Sequence, residues 1–342
     1  MIKIGQIGIG HNHAARVMES IRKYPEFFEV VGYSEDNPEW LERRGNLSAY
    51  QGLKRYSKEE LIEQCDALSI QTDVWNLTPA ARLCIDAGKH VHIDKPASGT
   101  LREYEALLKE AERKNLIVQL GYMYRYNPGI QKAIELAKNG SLGEITMINA
   151  EMSTFHKPRY KEWLRDFPGG IMHILGCHLI DLVVYLLGEP DKITTFLKRT
   201  GLDGVDVPDN TLAVLEYGNA LARIFVSSVE MNGWGRRQFF VSGTKGAIDI
   251  RPIENTTVVT YAHPGVSIHP HQDEKEILPI RDIPKDCRYD EMMKDFYAYI
   301  TGEKENPFTY QHEYSVQKVL YEICGIKENE YPVIPMISRK DD

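Results

Sequence analysis

Three things are scarce in this chain. Cysteine occurs five times in 342 residues, at Cys65, Cys84, Cys177, Cys287 and Cys324. The number is odd, the spacing is wide and no CxxC occurs, which argues against a disulfide framework or a Cys-type zinc site. Long apolar runs are missing too, so no stretch offers a membrane span. Excess positive charge is absent: 41 Lys and Arg against 49 Asp and Glu leave −8. No whole-protein attraction to nucleic acid or anionic membrane is therefore expected. The opening MIKIGQIGIG reads as a strand and turn, not as a secretory leader, and a cytoplasmic setting is expected.

What is present is the composition of a globular protein, with 42% apolar and 26% charged residues. The length exceeds the roughly 250–300 residues at which single cores stop growing, so two domains are expected.

The first third alternates short apolar runs with helical patterns. Ile2–Ile9, Val30–Ser34, Ala67–Ile70, His90–Ile93 and Ile117–Leu120 read as strands. Ala14–Arg22, Lys58–Gln64, Pro79–Ala87 and Leu101–Lys114 read as the helices between them. That alternation predicts βαβ units and a parallel sheet. After about residue 125 the grammar changes. A helix over Ile130–Lys138 is followed by β-type stretches at Ile145–Met152, Lys192–Leu197, Thr211–Tyr217, Ala220–Val229, Arg237–Val241, Ala247–Ile250 and Thr256–Tyr261. These predict a mostly antiparallel sheet. The apolar Ile174–Leu187 helix must pack on that sheet or on the first domain, and helices around Met292–Ile300 and Tyr314–Cys324 close the chain. The polar segment His263–Lys285 reads as a loop. The expected division is 1–125 for a nucleotide-binding domain and 126–342 for a substrate-binding and oligomerisation domain.

Gly8-Ile9-Gly10 lies between the first strand and the first helix. Glycines there let the backbone approach a pyrophosphate at a helix N-terminus. The third motif position is His13, so the full GxGxxG is absent. Glu35 stands 35 − 13 = 22 residues further on, at the end of the second strand, and Asp36 follows it. An acid at about that distance bonds ribose hydroxyls, and two carboxylates repel a 2′-phosphate, which favours NAD over NADP.

The segment Gly88-Lys89-His90-Val91-His92-Ile93-Asp94-Lys95-Pro96 resembles the AGKHVxxEKP segment of the Gfo/Idh/MocA oxidoreductases. The resemblance extends over nearly the whole chain. It takes in Thr72–Pro79, Gly121–Pro128, Gly140–Ile145, Gly169-Gly170, Gly176–Asp181 and Gly243–Gly246. It implies an α/β fold: an N-terminal Rossmann doubly wound parallel sheet, then a C-terminal α/β domain with an open, mostly antiparallel sheet. It also implies hydride transfer between NAD and a secondary alcohol of a sugar, cyclitol or derivative, and a homo-oligomer, dimer or tetramer, formed through the exposed sheet face.

Such a reaction needs a base and a positive group beside the developing alkoxide. By the resemblance, Lys95 is the cation and His178 the acid/base. Asp181, three residues on, shares a helical face with His178. It either orients the imidazole or belongs to a polar patch. Relatives carry Asp four residues before His178, whereas this chain has Ile174. The adjacent His173 is left with three options: replacing that Asp, binding substrate, or no chemical role. By analogy, cofactor contacts fall to Gly8, Gly10, His11, Asn12, Glu35, Thr72, Asp73, Asp94, Lys95, Pro96, Tyr124 and Trp163. Substrate contacts fall to Lys95, Tyr122, Arg125, His156, Tyr160, Arg165 and His178. Specificity is expected from loops around His156–Pro168 and Trp234–Arg237.

No metal is expected, since His269-Pro270-His271 lies in a poor rigid template. Two further readings remain open. One is a glycosidase or lyase that uses transient oxidation by NAD. The other is a non-catalytic nucleotide-binding regulator, which would need neither Lys95 nor His178.

Overall fold

A computed structural model describes residues 1–254, 257–267, 269, 271–281 and 287–327. The first sheet contains β1 (Ile2–Ile7), β2 (Phe28–Ser34), β3 (Ala67–Ile70), β4 (His90–Ile93) and β5 (Val118–Leu120). Their order is β2-β1-β3-β4-β5, and every pair is parallel. The alternating helices are α1 (Ala14–Arg22), α2 (Pro38–Arg44), α3 (Lys58–Gln64), α4 (Leu77–Asp86) and α5 (Leu101–Arg113). Residues of β3 are buried throughout, as expected where helices cover both faces of a parallel sheet. α3 and α5 start at Ser57 and Thr100, each closing a capping box with a glutamate at the third helical position.

Next come α6 (Pro128–Lys138), β6 (Ile145–Glu151), α7 (Pro158–Leu164) and α8 (Cys177–Leu187). The remaining strands are β7 (Lys192–Lys198), β8 (Asn210–Tyr217), β9 (Ala220–Ser227), β10 (Gln238–Gly243), β11 (Ala247–Ile250), β12 (Val259–Ala262) and β13 (Glu276–Leu278). They form an eight-stranded sheet, ordered β13-β12-β11-β10-β6-β9-β8-β7. Only the β6–β9 pair is parallel. Alternating side chains of β8 and β9 enter the core, and the period-two pattern makes one face apolar and buried. α8 is buried from Cys177 through Val184, consistent with its apolar character on every side.

The closing helices α9 (Asp290–Thr301) and α10 (Tyr310–Cys324) tie back to the first half of the chain. Asp290 accepts from Ser20 at 2.7 Å and pairs with Lys23 at 3.1 Å. The Tyr321 hydroxyl donates to the Gly99 carbonyl at 2.6 Å.

Three readings need correction. α2 and α7 were not anticipated: each is seven residues long and opens on a proline that suits a first helical turn. The segment read as a loop after His263 contains β13, which pairs with β12. Ile174 does not begin an α-helix, because a single π-helical turn, Met172–Gly176, precedes α8. Asn255, Thr256, Ile268, Pro270 and positions 282–286 and 328–342 lie outside the described residues. That includes parts of the expected final strand, the loop after His263 and the His269-Pro270-His271 motif.

Candidate active site

The glycine turn sits where β1 hands over to α1. Gly8 has φ +85°, and a Cβ there would lie 2.5 Å from the Thr72 nitrogen. Gly10 lies under the Trp40 ring, which leaves 2.7 Å for a Cβ. Both positions therefore require glycine. Glu35 accepts from the Ile9 and Asn37 amides, each at 2.9 Å, so the acid at the end of β2 is held against the glycine turn. Arg44 donates to the carbonyls of Ile9 and Gly10 and braces the same turn. Asp73 accepts from Asn76, and the Thr72 hydroxyl donates to the Asp73 carbonyl at 2.9 Å. The strand ends thus form a glycine-walled rim beside the Glu35 carboxylate.

A cavity of about 180 Å³ adjoins this rim. His11, Asn12, Lys95, Tyr124, His156, Tyr160, Trp163 and His178, all expected as cofactor or substrate contacts, line it. Lys95 ends the β4 segment, and its peptide bond to Pro96 is cis. Its ammonium donates to the Ile174 carbonyl at 2.9 Å. Ile174 therefore keeps its place on the cavity wall but offers a backbone oxygen to Lys95 instead of a carboxylate to a proton relay.

His178 is 2% exposed and meets the Tyr124 ring edge-to-face at 4.9 Å. Burial, then the charge of Lys95, pushes its pKa well below the usual histidine value, so the imidazole is neutral. His156 stacks on Tyr160 at 4.0 Å and is pushed down to about 4 by burial and by Arg237.

Asp94, expected as a cofactor contact, lies behind the cavity wall. Its carboxylate is 1% exposed and lies 3.1 Å from the Nδ1 atoms of both His11 and His13. It also accepts from the Lys95 amide at 2.8 Å. Burial opposes its charge, yet the two histidines hold its pKa well below the usual carboxylate range. His13 is lowered to about 4, chiefly by burial. The three ligand atoms lie within 4.8 Å of one another, a spacing suited to shared protons or a cation, and nothing in the sequence reading anticipated this group.

Five residues expected at the substrate or proton-transfer positions do not line the cavity. Arg125 is fully buried and grips Asp181 at 2.6 Å and Glu313 at 2.6 Å. Asp181 also accepts from His312 at 2.9 Å, so it does not serve His178. Tyr122 packs under the Arg125 guanidinium and beside His178. Arg165 is exposed. His173 lies between Phe167 and Tyr321, at ring separations of 5.7 and 6.2 Å. It is fully buried, and among the described residues neither ring nitrogen has a hydrogen-bond partner of normal geometry. Across the π turn and the start of α8, Ile174, Leu175 and His178 face the cavity while His173 does not.

The buried Arg125 cluster is structural, and it is expected to be costly to break. Arg125→Met leaves two carboxylates, each 1% exposed, without their cation. Urea unfolding should register a loss of about 3–5 kcal/mol, the usual cost of removing one partner of a buried pair. A loss under about 1 kcal/mol, the range of a surface pair, would contradict this role.

Several wall residues carried no individual assignment in the sequence. Thr154, Trp234, Arg237 and Arg288 line the cavity. Glu254 joins Arg237 and Arg288, at 2.7 Å from each. The Trp234–Arg237 loop was expected to shape specificity, but Glu254 and Arg288 meet only through tertiary folding.

Comparisons with known proteins identify both halves of the chain. A model described as oxidoreductase family, NAD-binding Rossmann fold, matches residues 2–122, and the GFO/IDH/MocA C-terminal domain matches 130–249. The chain belongs to the Gfo/Idh/MocA oxidoreductase family. Within it, the chain is 27% identical over 260 residues to an uncharacterized oxidoreductase of Schizosaccharomyces pombe, covering 72% of this chain and 69% of that one. It is 28% identical to the Bacillus subtilis scyllo-inositol 2-dehydrogenase (NADP(+)) IolW, over 43% of this chain and 41% of the other. Among solved structures, UDP-N-acetylglucosamine 3-dehydrogenase GnnA from Acidithiobacillus ferrooxidans superposes with a TM-score of 0.77 at 21% identity, covering 96% and 98% of the two chains. This Gfo/Idh/MocA protein is thus an oxidoreductase with an NAD-binding Rossmann domain. Among the described residues, no helix is long and apolar enough to cross a membrane.

Proposed function

We propose that the protein transfers hydride between NAD and a secondary alcohol of a sugar, cyclitol or sugar derivative. The observation that carries this reading is the convergence of Lys95 and neutral His178 on one cavity beside the glycine turn. NAD, when bound, supplies the hydride acceptor. Gly8, Gly10 and the α1 N-terminus would hold its pyrophosphate, and Glu35 its adenosine ribose.

The protein's own groups handle the charge and the proton. One Lys95 N–H is held by the Ile174 carbonyl, which leaves two to face an alkoxide. Neutral His178 takes the hydroxyl proton as the C–H bond releases its electron pair and the carbonyl forms. His156, Tyr160 and Trp163 supply flat apolar faces with polar edges, suited to a sugar ring. Glu35 and Asp36 favour NAD over NADP through repulsion of a 2′-phosphate. The proposed division assigns 1–125 to the cofactor and 126–342 to substrate and assembly.

The test is NADH fluorescence with a panel of polyols, sugars and glycosides. NADH accumulation with a polyol or sugar supports net oxidation. Glycoside cleavage without NADH accumulation supports the redox-neutral alternative, motivated by Ile174 at the usual Asp position.

We also propose a homo-oligomer built on the outer face of the eight-stranded sheet. Met147 and Leu221 lie opposite each other there, at 43% and 50% exposure. Four residues along the strands, Phe196, Leu212 and Phe225 form a second apolar row across β7, β8 and β9. Sedimentation should give a dimer or tetramer that dissociates in the Met147→Asp, Leu221→Asp double variant. A monomeric parent protein would contradict this.

A further inference from the structure

The cavity wall carries more positive charge than its carboxylates balance. Lys95, Arg237 and Arg288 all line it. Glu254 lies between the two arginines, and Asp94 is enclosed by His11 and His13. Leaving the histidines aside, three positive groups line the cavity and two carboxylates lie behind its wall.

The two arginines differ in what remains free. Arg237 is 3% exposed and fully engaged. Its Nη1 donates to Glu254 and to the Tyr124 hydroxyl, its Nη2 to Thr154 at 2.6 Å and its Nε to the Ser153 carbonyl at 3.4 Å. Its guanidinium also lies 3.7 Å over the Trp234 ring. Among the described residues, Arg288 hydrogen-bonds through Nη2, at 2.7 Å from Glu254 and 3.2 Å from the Tyr124 hydroxyl, and its guanidinium lies 5.9 Å from the Tyr124 and Tyr289 rings. Its Nε and Nη1 have no partner among the described residues, and its side chain is 22% exposed. Glu254, Tyr124 and Arg237 therefore aim a guanidinium whose remaining donors are unspent. Such a fork matches carboxylate and phosphate oxygens.

We propose that Arg288 is an anion subsite, and that the substrate carries a carboxylate or phosphate beside the alcohol that is oxidised. This rests on the dehydrogenase reading for its place in the reaction, but not for the binding event itself. The anionic group would bond to Arg288 while Lys95 and His178 face the reacting carbon across the cavity. A neutral sugar would leave the excess positive charge uncompensated.

The experiment is calorimetric binding to the NAD-loaded protein at low salt, using glucose, glucuronate, gluconate and glucose 6-phosphate. The acidic ligands should bind about 10–100-fold more tightly than glucose, the range expected for charge-assisted bonds. The ordering of carboxylate against phosphate identifies which anion fits. Arg288→Gln should abolish that advantage, and Arg288→Lys should restore part of it. NAD affinity measured in parallel should stay within about twofold in both variants.

Equal binding of glucose and the acids overturns the proposal, as does an Arg288→Gln variant that keeps the advantage. So does a variant that loses NAD affinity instead, because Arg288 would then serve the cofactor. NADH formation with neutral sugars only leaves the dehydrogenase reading standing and removes the anion subsite. Tight, Arg288-dependent binding of acids without any NADH formation does the reverse.

Discussion

Lys95→Met is expected to lower turnover by about 10³-fold or more while leaving NAD affinity and the fold in place. The expectation comes from position and desolvation. Lys95 is 4% exposed and its ammonium is fixed on the Ile174 carbonyl, so its remaining N–H groups are oriented before substrate arrives. A preorganised donor of this kind, in a site that excludes water, is worth about 10²–10³ in rate, and a full positive charge adds to that. His178→Asn should cost about 10²–10⁴, the usual range for a general base. The check is kcat/KM with the best substrate of the panel, together with NAD titration and thermal unfolding. Retention of turnover within about tenfold in both variants would remove these residues from the chemistry.

The second large effect is acid instability. His92 and His173 are both fully buried, with pKa values pushed down from 6.5 to about 4 and about 3, in each case first by burial. The unfolded chain binds these protons near pH 6.5, whereas the folded chain resists them until pH 4 or below. Stability is thus complete above about pH 6.5 and is lost as pH falls toward the folded values. At pH 5 each histidine costs about 2 kcal/mol relative to pH 7, or about 4 kcal/mol together. That is a large share of the roughly 5–15 kcal/mol typical of a folded domain.

His173→Phe separates this effect from catalysis. The new ring should stack between Phe167 and Tyr321 without leaving a buried nitrogen unpaired, so stability at pH 7 should hold or rise. About 2 kcal/mol of the loss between pH 7 and pH 5, the share of His173 alone, should disappear in urea titrations, while the share of the other buried histidines stays. A variant with the original pH dependence would contradict the buried-histidine account. One that folds but no longer turns over substrate would return His173 to the active site.

Much of the fold was readable because its signals are local. The alternation of apolar strands and amphipathic helices marked the parallel sheet, and the period-two pattern of β8 and β9 marked the second one. α2 and α7 escaped because each is a short helix opening on proline, and Glu35-Asp36-Asn37-Pro38 also satisfies turn chemistry. The site divided along a similar line. Gly8, Lys95 and His178 lie in segments whose residue order carries the family resemblance. Arg125 and Asp181 lie in such segments too, yet Glu313 and His312, from the end of the chain, capture them in the core. Ile174 and His178 share the cavity wall four residues apart, as the family spacing implies, although a π turn carries Ile174. Glu254 with Arg288, and Asp94 with His11 and His13, come together only in three dimensions.

The central claim is that hydride leaves a substrate carbon inside the cavity walled by Lys95 and His178. The most direct measurement uses the best polyol or sugar of the panel, deuterated at its carbinol carbons, and mass spectrometry of the nicotinamide ring. One deuterium per NADH formed is expected with the parent protein, and essentially none with Lys95→Met or His178→Asn over the same interval. Product formation with no deuterium ever reaching the nicotinamide, or undiminished transfer in both variants, would contradict the account.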